Sequence, residues 1–578
     1  MSKKEKKQKG SVAYHGFGGI DHAARYKEKL AADDIVNFRI RSDGSLSKRE
    51  GYASLADLGE KIRALHGNTV DGKFLLYALS GSNICEIDPE SGSYMQIGST
   101  DTVEGSAHFV SFKGDIFLLD GNSIYRCSGS GSLFEKVKGY VPLIGSDWPN
   151  DVFGEINECR NLITRRAAIT YTVGNPRSIY LNTKYPVESI QAIYLNGTLL
   201  SPDKYYIDPE FTTINVPGLV TSDRVTAYFT YAPDENIPSD RLLSSTSSAL
   251  FGGSANNRLF LCGGNDSGYV FCSKNVSVAD LEKSKERFPD SDEIYFPENY
   301  VFEVGDGINS ATNMVRHYDK LLIFTEGDVW LAYPDSAEND DSPAISVNAE
   351  LGCAVERGAI LVGNDAASIG KNSVWIWSND TDTPAKCKAT KISQQIDDEL
   401  RAFGLKNCRA FFNKNEDELW IYSELSDKVW VYNFNMEAWY KFSGFTPNNI
   451  FDVDGRIGFT SGSMIYLFDK QLSCDFPDGN EQIISAYYQS APITFGNDAV
   501  RNIRSATVTA DLFGDELTLT FCGRETADVV CIFSDGSEKV NSVIKRRITS
   551  GRFRSASFRL QTYGKGKHSI HALKLVTR

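Results

Sequence analysis

Residues that could do chemistry are few in this chain of 578 residues. Asp397, Asp398 and Glu399 form an acidic cluster, and carboxylates this close could act as general acid and base in glycoside hydrolysis. The cluster lies in a segment that reads as a loop, where consecutive acids ordinarily make a solvated turn. Ser42 to Ser45 and Ser534 to Ser537 both read Ser-Asp-Gly-Ser, the core of the Asp boxes of sialidase-type propellers. Neither has the aromatic ending of such a box, so both read as Asp-Gly turns. His568 and His571 are three apart in a predicted strand, and an odd spacing sends them to opposite faces, which argues against a shared metal. No calcium loop, P-loop or nucleophile elbow occurs, and there are only seven His. Trp330, Trp375, Trp377, Trp420, Trp430 and Trp439 could make a carbohydrate platform, but all fall within predicted strands, where packing is the ordinary role. The expectation is a protein that is not an enzyme and has no catalytic residue, metal or cofactor.

The elements that hold these residues are strands. A run of apolar and aromatic residues ending in a Gly-, Asn- or Asp-bearing turn recurs along the chain, from Gly72, Gly114, Asp319, Asn372, Asp417 and Gly455. Most of these runs are followed by a second one, as at Asn83, Ser123, Asp328, Lys428 and Ser463. A unit of roughly 40 residues built from short antiparallel strands cannot bury its own apolar faces, so such units pack around an axis as propeller blades. The spacing predicts an all-β chain with about seven blades. With 48 Gly, 27 Tyr, 33 Phe and only 5 Met, the composition is one of turns and strands.

Two stretches break the blade pattern. Val187 to Leu195 alternates and runs into Asn196-Gly197, a hairpin turn in which both central residues take positive φ. It belongs to a β-sandwich expected over residues 150–235. A second sandwich is expected over 481–578, where Ser505 to Leu512, Glu516 to Cys522 and Arg554 to Thr562 alternate. Residues 1–60 read as an arm and lead-in with a short helix around His22 to Ala32, and 61–149 and 236–480 as the two parts of the propeller. The strongest helix signal is Ala279 to Arg287, in the long connection from Ser277 to Asn299.

Charge is unevenly placed. Residues 1–29 carry eight Lys/Arg against three acids and residues 501–578 carry fourteen against seven, so 30–500 hold −26 of the net −14. Lys3, Lys4, Lys6, Lys7 and Lys9 make a candidate docking arm, against the ordinary reading of a solvated tail. No apolar run is long enough to span a bilayer, and no apolar stretch follows the basic residues as in a secretory signal. Eleven Cys without a C-x-x-C pair lie mostly in apolar strands, as expected of reduced thiols in a protein folded in the cytoplasm.

The segment from Asp33 to Tyr52 contains Asn37, Arg39, Asp43, Gly44, Lys48, Arg49, Gly51 and Tyr52. It resembles the opening of bacteriophage tail tubular protein B, or tail nozzle, proteins and the related phage stabilisation proteins, in which an Asn-x-Arg strand and an Asp-Gly turn lead to Lys-Arg-x-Gly-Tyr ahead of the first blade. The resemblance implies a structural virion protein of the phage tail: a ring of copies, usually six, attached to a portal and adaptor, with a channel that passes double-stranded DNA. A receptor-binding, lectin-like propeller and a propeller-type glycoside hydrolase are the alternatives. The eight residues are the candidate interface.

Overall fold

The computed structural model describes the chain except residues 1–9, 23–30, 71, 175–177, 182, 234–238, 253–257, 265–267, 306–308, 334–343, 380–386, 495–500, 524–527, 535, 537–539, 549–551, 554 and 578. The candidate arm Lys3 to Lys9 and most of the helix expected around His22 lie outside the described residues. Strands dominate, and the chain divides into two compact units: Met1–Ser80, Cys85–Met95 and Arg357–Arg578, and Gly81–Ile84 with Gln96–Glu356.

The recurring runs form four-stranded sheets in which neighbouring strands are consecutive in the chain. In the first unit one such sheet is Ala359–Val362, Asp365–Ile369, Val374–Asn379 and Cys387–Lys391. Arg409–Asn413, Glu418–Tyr422, Lys428–Asn433 and Ala438–Ser443 repeat this order as the first four strands of a ten-stranded sheet. In the second unit they begin at His108, Ser247 and Ala311. Ile62–Val70, Lys73–Ser80, Asn83–Ile87 and Tyr94–Ser99 make a further such sheet. Hairpin turns such as Asp454-Gly455 and Lys113-Gly114 place two successive residues at positive φ, the geometry that matches strand twist. Buried side chains fill every layer, Leu76, Ala78, Val453 and Ile465 in one cluster and Leu119, Leu261 and Phe271 in another.

One further sheet closes across the sequence. Asn449–Val453, Arg456–Ser461 and Met464–Asp469 take their fourth strand from Gly51–Asp57, which pairs antiparallel with Asp469↔Gly51 and Met464↔Asp57 at its ends.

Residues 10–57 are not a lead-in, as expected, but five strands: β1 (Gly10–Tyr14), β2 (Ala32–Val36), β3 (Phe38–Ile40), β4 (Leu46–Lys48) and β5 (Gly51–Asp57). β1 and β4 pair with Ser569–Thr577, which also pairs with Arg501–Asp511 and so leads to Ser542–Arg547. β2 pairs with Ala486–Ser490 on one side and, in parallel, with Ala438–Ser443 on the other. Ala486–Ser490 continues through Ser555–Tyr563 and Glu516–Gly523 to Val529–Phe533. Tyr14 of one layer meets Phe558 of the other at 5.2 Å, so the two sheets share a core. Backbone pairing across more than 400 positions leaves no local signature, which is why these short strands read as a lead-in.

In the second unit the segment expected over 150–235 starts earlier, at Leu143–Pro149, which pairs in parallel with Arg166–Thr172. Its five-stranded and three-stranded sheets enclose Trp148, Ile169, Tyr171, Ile193, Ile214 and Phe229. Asn196 (φ 47°) and Gly197 (φ 80°) form the expected turn between Leu195 and Thr198. Helix Val278–Arg287 lies where the sequence placed it, capped by Ser277, whose hydroxyl accepts from the Asp280 N–H at 3.1 Å. The acids Asp397 to Glu399 begin a helix, Asp397–Phe403, instead of lying in a loop, because carboxylates in a first turn face the free N–H groups of the helix.

Because every member of the core around Trp148 lies between Ile144 and Tyr231, a fragment from Val141 to Pro233 is expected to fold alone. A dispersed amide spectrum and a cooperative melt check this; a collapsed spectrum would show that the segment depends on the rest of the chain.

Candidate functional site

Of the eight residues of the Asn37 to Tyr52 segment, Asn37, Arg39, Arg49, Gly51 and Tyr52 lie about one junction in the first unit, while Asp43 and Gly44 stand at the hairpin turn and Lys48 reaches toward Gly564. Asp43 and Gly44 reverse the chain between β3 and β4: the Asp43 carboxylate accepts from the Ser45 N–H at 2.9 Å and Gly44 takes φ +79°. The hydroxyl and backbone N–H of Ser45 hold the Asp43 carboxyl below its usual value. The turn sets Phe38 opposite Lys48 and Ile40 opposite Leu46.

Arg49 is the centre of the junction and is 2% exposed. Its Nη1 and Nη2 donate to the two carboxylate oxygens of Asp475 at 2.8 and 2.7 Å, a bidentate fork. Nε donates to the Asn37 side-chain oxygen at 3.0 Å, and the remaining N–H groups donate to the carbonyls of Glu50 and Ser443, both at 2.9 Å. Asn37 takes φ 59°, a left-handed conformation that Asn tolerates, and its amide donates to the Ser485 carbonyl at 2.9 Å. Gly51 follows where a Cβ would stand 1.8 Å from the Cys474 carbonyl oxygen, so no other residue fits there. Tyr52 donates to the Gly444 carbonyl at 3.1 Å, and its ring packs edge-on against Phe459, Tyr466, Phe468 and Phe445.

A second buried cluster adjoins the first. Arg39 Nε donates to Glu418 at 2.7 Å, and its guanidinium lies over Phe442 and also pairs with Glu50. Glu418, fully buried, accepts in addition from Tyr440 Oη at 2.6 Å and Trp420 Nε1 at 2.8 Å. Burial alone would raise the Glu50 carboxyl, but the charge and hydrogen bond of Arg39 outweigh it and bring the group down to about 2. Lys48 donates to the Gly564 carbonyl at 3.1 Å, and burial, reinforced by the charge of Arg49, lowers its ammonium to about 8.

Beside these clusters is a cavity of about 360 Å³. Trp420, Ile457 and Phe468 supply apolar wall, and Arg39, Glu50 and Glu416 supply charge. Glu416 is itself engaged by Arg41 at 3.0 Å and Lys470 at 3.4 Å. The cavity can hold a polar molecule, but carboxylates fixed against cations are poor proton donors at neutral pH.

Of the remaining candidates, His568 adjoins the segment, since its carbonyl accepts from the Lys48 N–H at 2.9 Å. Asp397 pairs with Lys391, Asp398 with Arg401 at 3.2 Å and Glu399 with Lys441 at 3.5 Å. His568 bonds to Asp515 at 2.8 Å and His571 to Asp511 at 3.0 Å, so each has its own carboxylate; burial lowers His568 below its usual value. Among the described residues no group of three His, Cys, Asp or Glu is arranged to hold a metal. Trp377, Trp420, Trp430 and Trp439 are fully buried, and Trp330 and Trp375 are half-buried. All eleven Cys are unpaired thiols. The partners Glu418 and Asp475 escaped the sequence reading, although Glu418 directly precedes the apolar run Leu419 to Tyr422, where a carboxylate needs a buried partner.

No family model matches the chain, and no curated protein does. Among solved structures it is similar to YCF48 from Cyanidioschyzon merolae, with 5% identity over 73% of this chain and 99% of that one, at a TM-score of 0.34. It is also similar to YCF48 bound to a D1 peptide, with 6% identity over 78% of this chain and 97% of that one, at a TM-score of 0.29. These scores carry no argument about fold or function, and the architecture rests on the strand order above. The expectation of a phage tail component finds no support in the two structures named, both of which are of YCF48, and is withdrawn.

Two outcomes follow from the junction. Arg49→Ala leaves Asp475 buried without its partner and is expected to cost about 3–5 kcal/mol in denaturant unfolding, while Arg49→Met with Asp475→Leu recovers much of that loss. Lys48 binds its proton more weakly when folded, so between pH 8 and 10.5 the unfolded chain holds the extra proton and stability rises with pH. Lys48→Met should remove roughly 3 kcal/mol of that rise; equal pH profiles for the two proteins would show that Lys48 is not the cause.

Proposed function

We propose that the chain is a non-catalytic scaffold: a β-propeller of about seven blades, carrying one inserted β-sandwich and a second sandwich to which β1–β4 contribute. The observation that carries this reading is the engagement of its charged side chains. Arg39, Arg49, Glu50, Glu418 and Asp475 are bound to one another and to backbone groups inside the fold. A hydrolase of the propeller type needs a carboxylic acid that keeps its proton near neutral pH. Glu50, one of the carboxyls that line the cavity, is held at about 2. The strand order supports the propeller, since each four-stranded sheet follows the chain and one is completed by β5, a strand distant in sequence. Completing a sheet with a strand from far along the chain closes a ring of blades and leaves no open first or last edge.

Purified protein is expected to turn over no glycoside or peptide, and Asp397→Asn with Asp398→Asn to behave as the parent protein. Turnover that the double variant loses would sink the scaffold reading. Electron microscopy of single particles tests the architecture separately, because seven sheets arranged radially are expected and any other arrangement of them refutes the propeller.

A further inference from the structure

The sheet of Ser542–Arg547, Arg501–Asp511, Ser569–Thr577 and β1 carries on its outer face cations that the fold leaves unneutralised. Register fixes their placement. Thr507 stands opposite Lys545 on one side and Lys574 on the other, and Ser505 stands opposite Arg547. With strands about 4.8 Å apart, Lys545 and Lys574 are about 10 Å apart across the sheet, and Arg547 is about 7 Å along from Lys545. All three are exposed, while the alternate residues Ala506, Val508, Ile544, Leu573 and Leu575 are buried, so the cations share the outward side. Lys545, Arg547 and Lys574 have no ion-pair partner among the described residues.

The ground between these cations is low and hydroxylated. Thr507 and Thr509 project from the middle strand, Ala572 from the next, and Ser11 and Ala13 from β1. Thr507 and Thr509 thus present a shallow floor along the middle strand, with Lys545 and Arg547 on one side and Lys574 on the other. Exposed cations at this density are notable in a chain of net charge −14.

We propose that this face binds an anionic polysaccharide laid along the middle strand. Carboxylate or sulfate groups that alternate in direction along an extended glycan reach Lys545 and Arg547 on one side and Lys574 on the other. The hydroxyls of Thr507 and Thr509 meet the sugar hydroxyls between them. A single-stranded nucleic acid fits less well, since its bases would find no aromatic ring on this floor to stack upon.

Heparin is the probe, tested against the full-length protein at low salt. Lys545→Gln with Lys574→Gln keeps the side-chain stems and is expected to weaken heparin binding about tenfold while leaving the melting temperature unchanged. Lys388→Gln with Lys406→Gln removes the same charge from exposed positions elsewhere and should leave binding as it is. Uncharged dextran should not compete. The proposal is overturned if heparin does not bind, or if the face variant binds as the parent does. An equal loss in both variants, which would reduce the effect to general electrostatics, also overturns it. Displacement of heparin by duplex DNA or polyglutamate at lower concentration than by a second anionic polysaccharide would assign the face to nucleic acid or to an acidic protein instead.

Discussion

The fork between Arg49 and Asp475 is the constraint on which the first unit depends. Arg49 follows β4, Asp475 follows Met464–Asp469, and the same guanidinium reaches the Ser443 carbonyl at the end of another sheet. One side chain therefore fixes three segments that are remote in sequence. Its contribution to stability is small as long as both charges are present, because desolvation of the two ions offsets their attraction. Its contribution to specificity is larger, since any slip of β5 against Met464–Asp469 would leave a buried guanidinium or carboxylate without its partner, at a cost of several kcal/mol.

Around that fork, polar and aromatic groups divide the work. Tyr52 carries the apolar contact, meeting four rings, while its hydroxyl reaches the Gly444 carbonyl. Glu418 sits in a strand whose every residue is buried, which is tolerable only because Arg39, Tyr440 and Trp420 all donate to it. Charges held in this way, Arg39 against Glu50 and Glu418, are fixed by their partners before any ligand arrives.

Much of this was legible in the sequence where the signal is local. Asn196-Gly197 announces its hairpin, Ser277 and Asp280 announce a helix start, and the repeated aromatic runs announce short sheets. The segment from Asn37 to Tyr52 stood out by a resemblance, and Asn37 and Arg49 within it are bound to each other. Their partners did not stand out, because Asp475 and Ser443 become neighbours of Arg49 only through tertiary pairing. The acidic run at Asp397 misled for a different reason: three consecutive acids suit an exposed turn and a helix start equally, and the choice is made by Leu400, which packs into the core.

The pairing of β5 with Met464–Asp469 also governs when the protein can fold. A ribosome adds about 5–20 residues per second, so β5 waits tens of seconds before its partner strand is made. Throughout that time its hydrogen-bonding edge, and those of β1 to β4, stay open to any other strand nearby. Bringing such distant segments together also requires closure of a very long loop, which slows the search even after synthesis is complete. The nascent chain is thus an extended array of sheets that cannot lock, and its vulnerability to misassembly is greatest just before the last strands emerge.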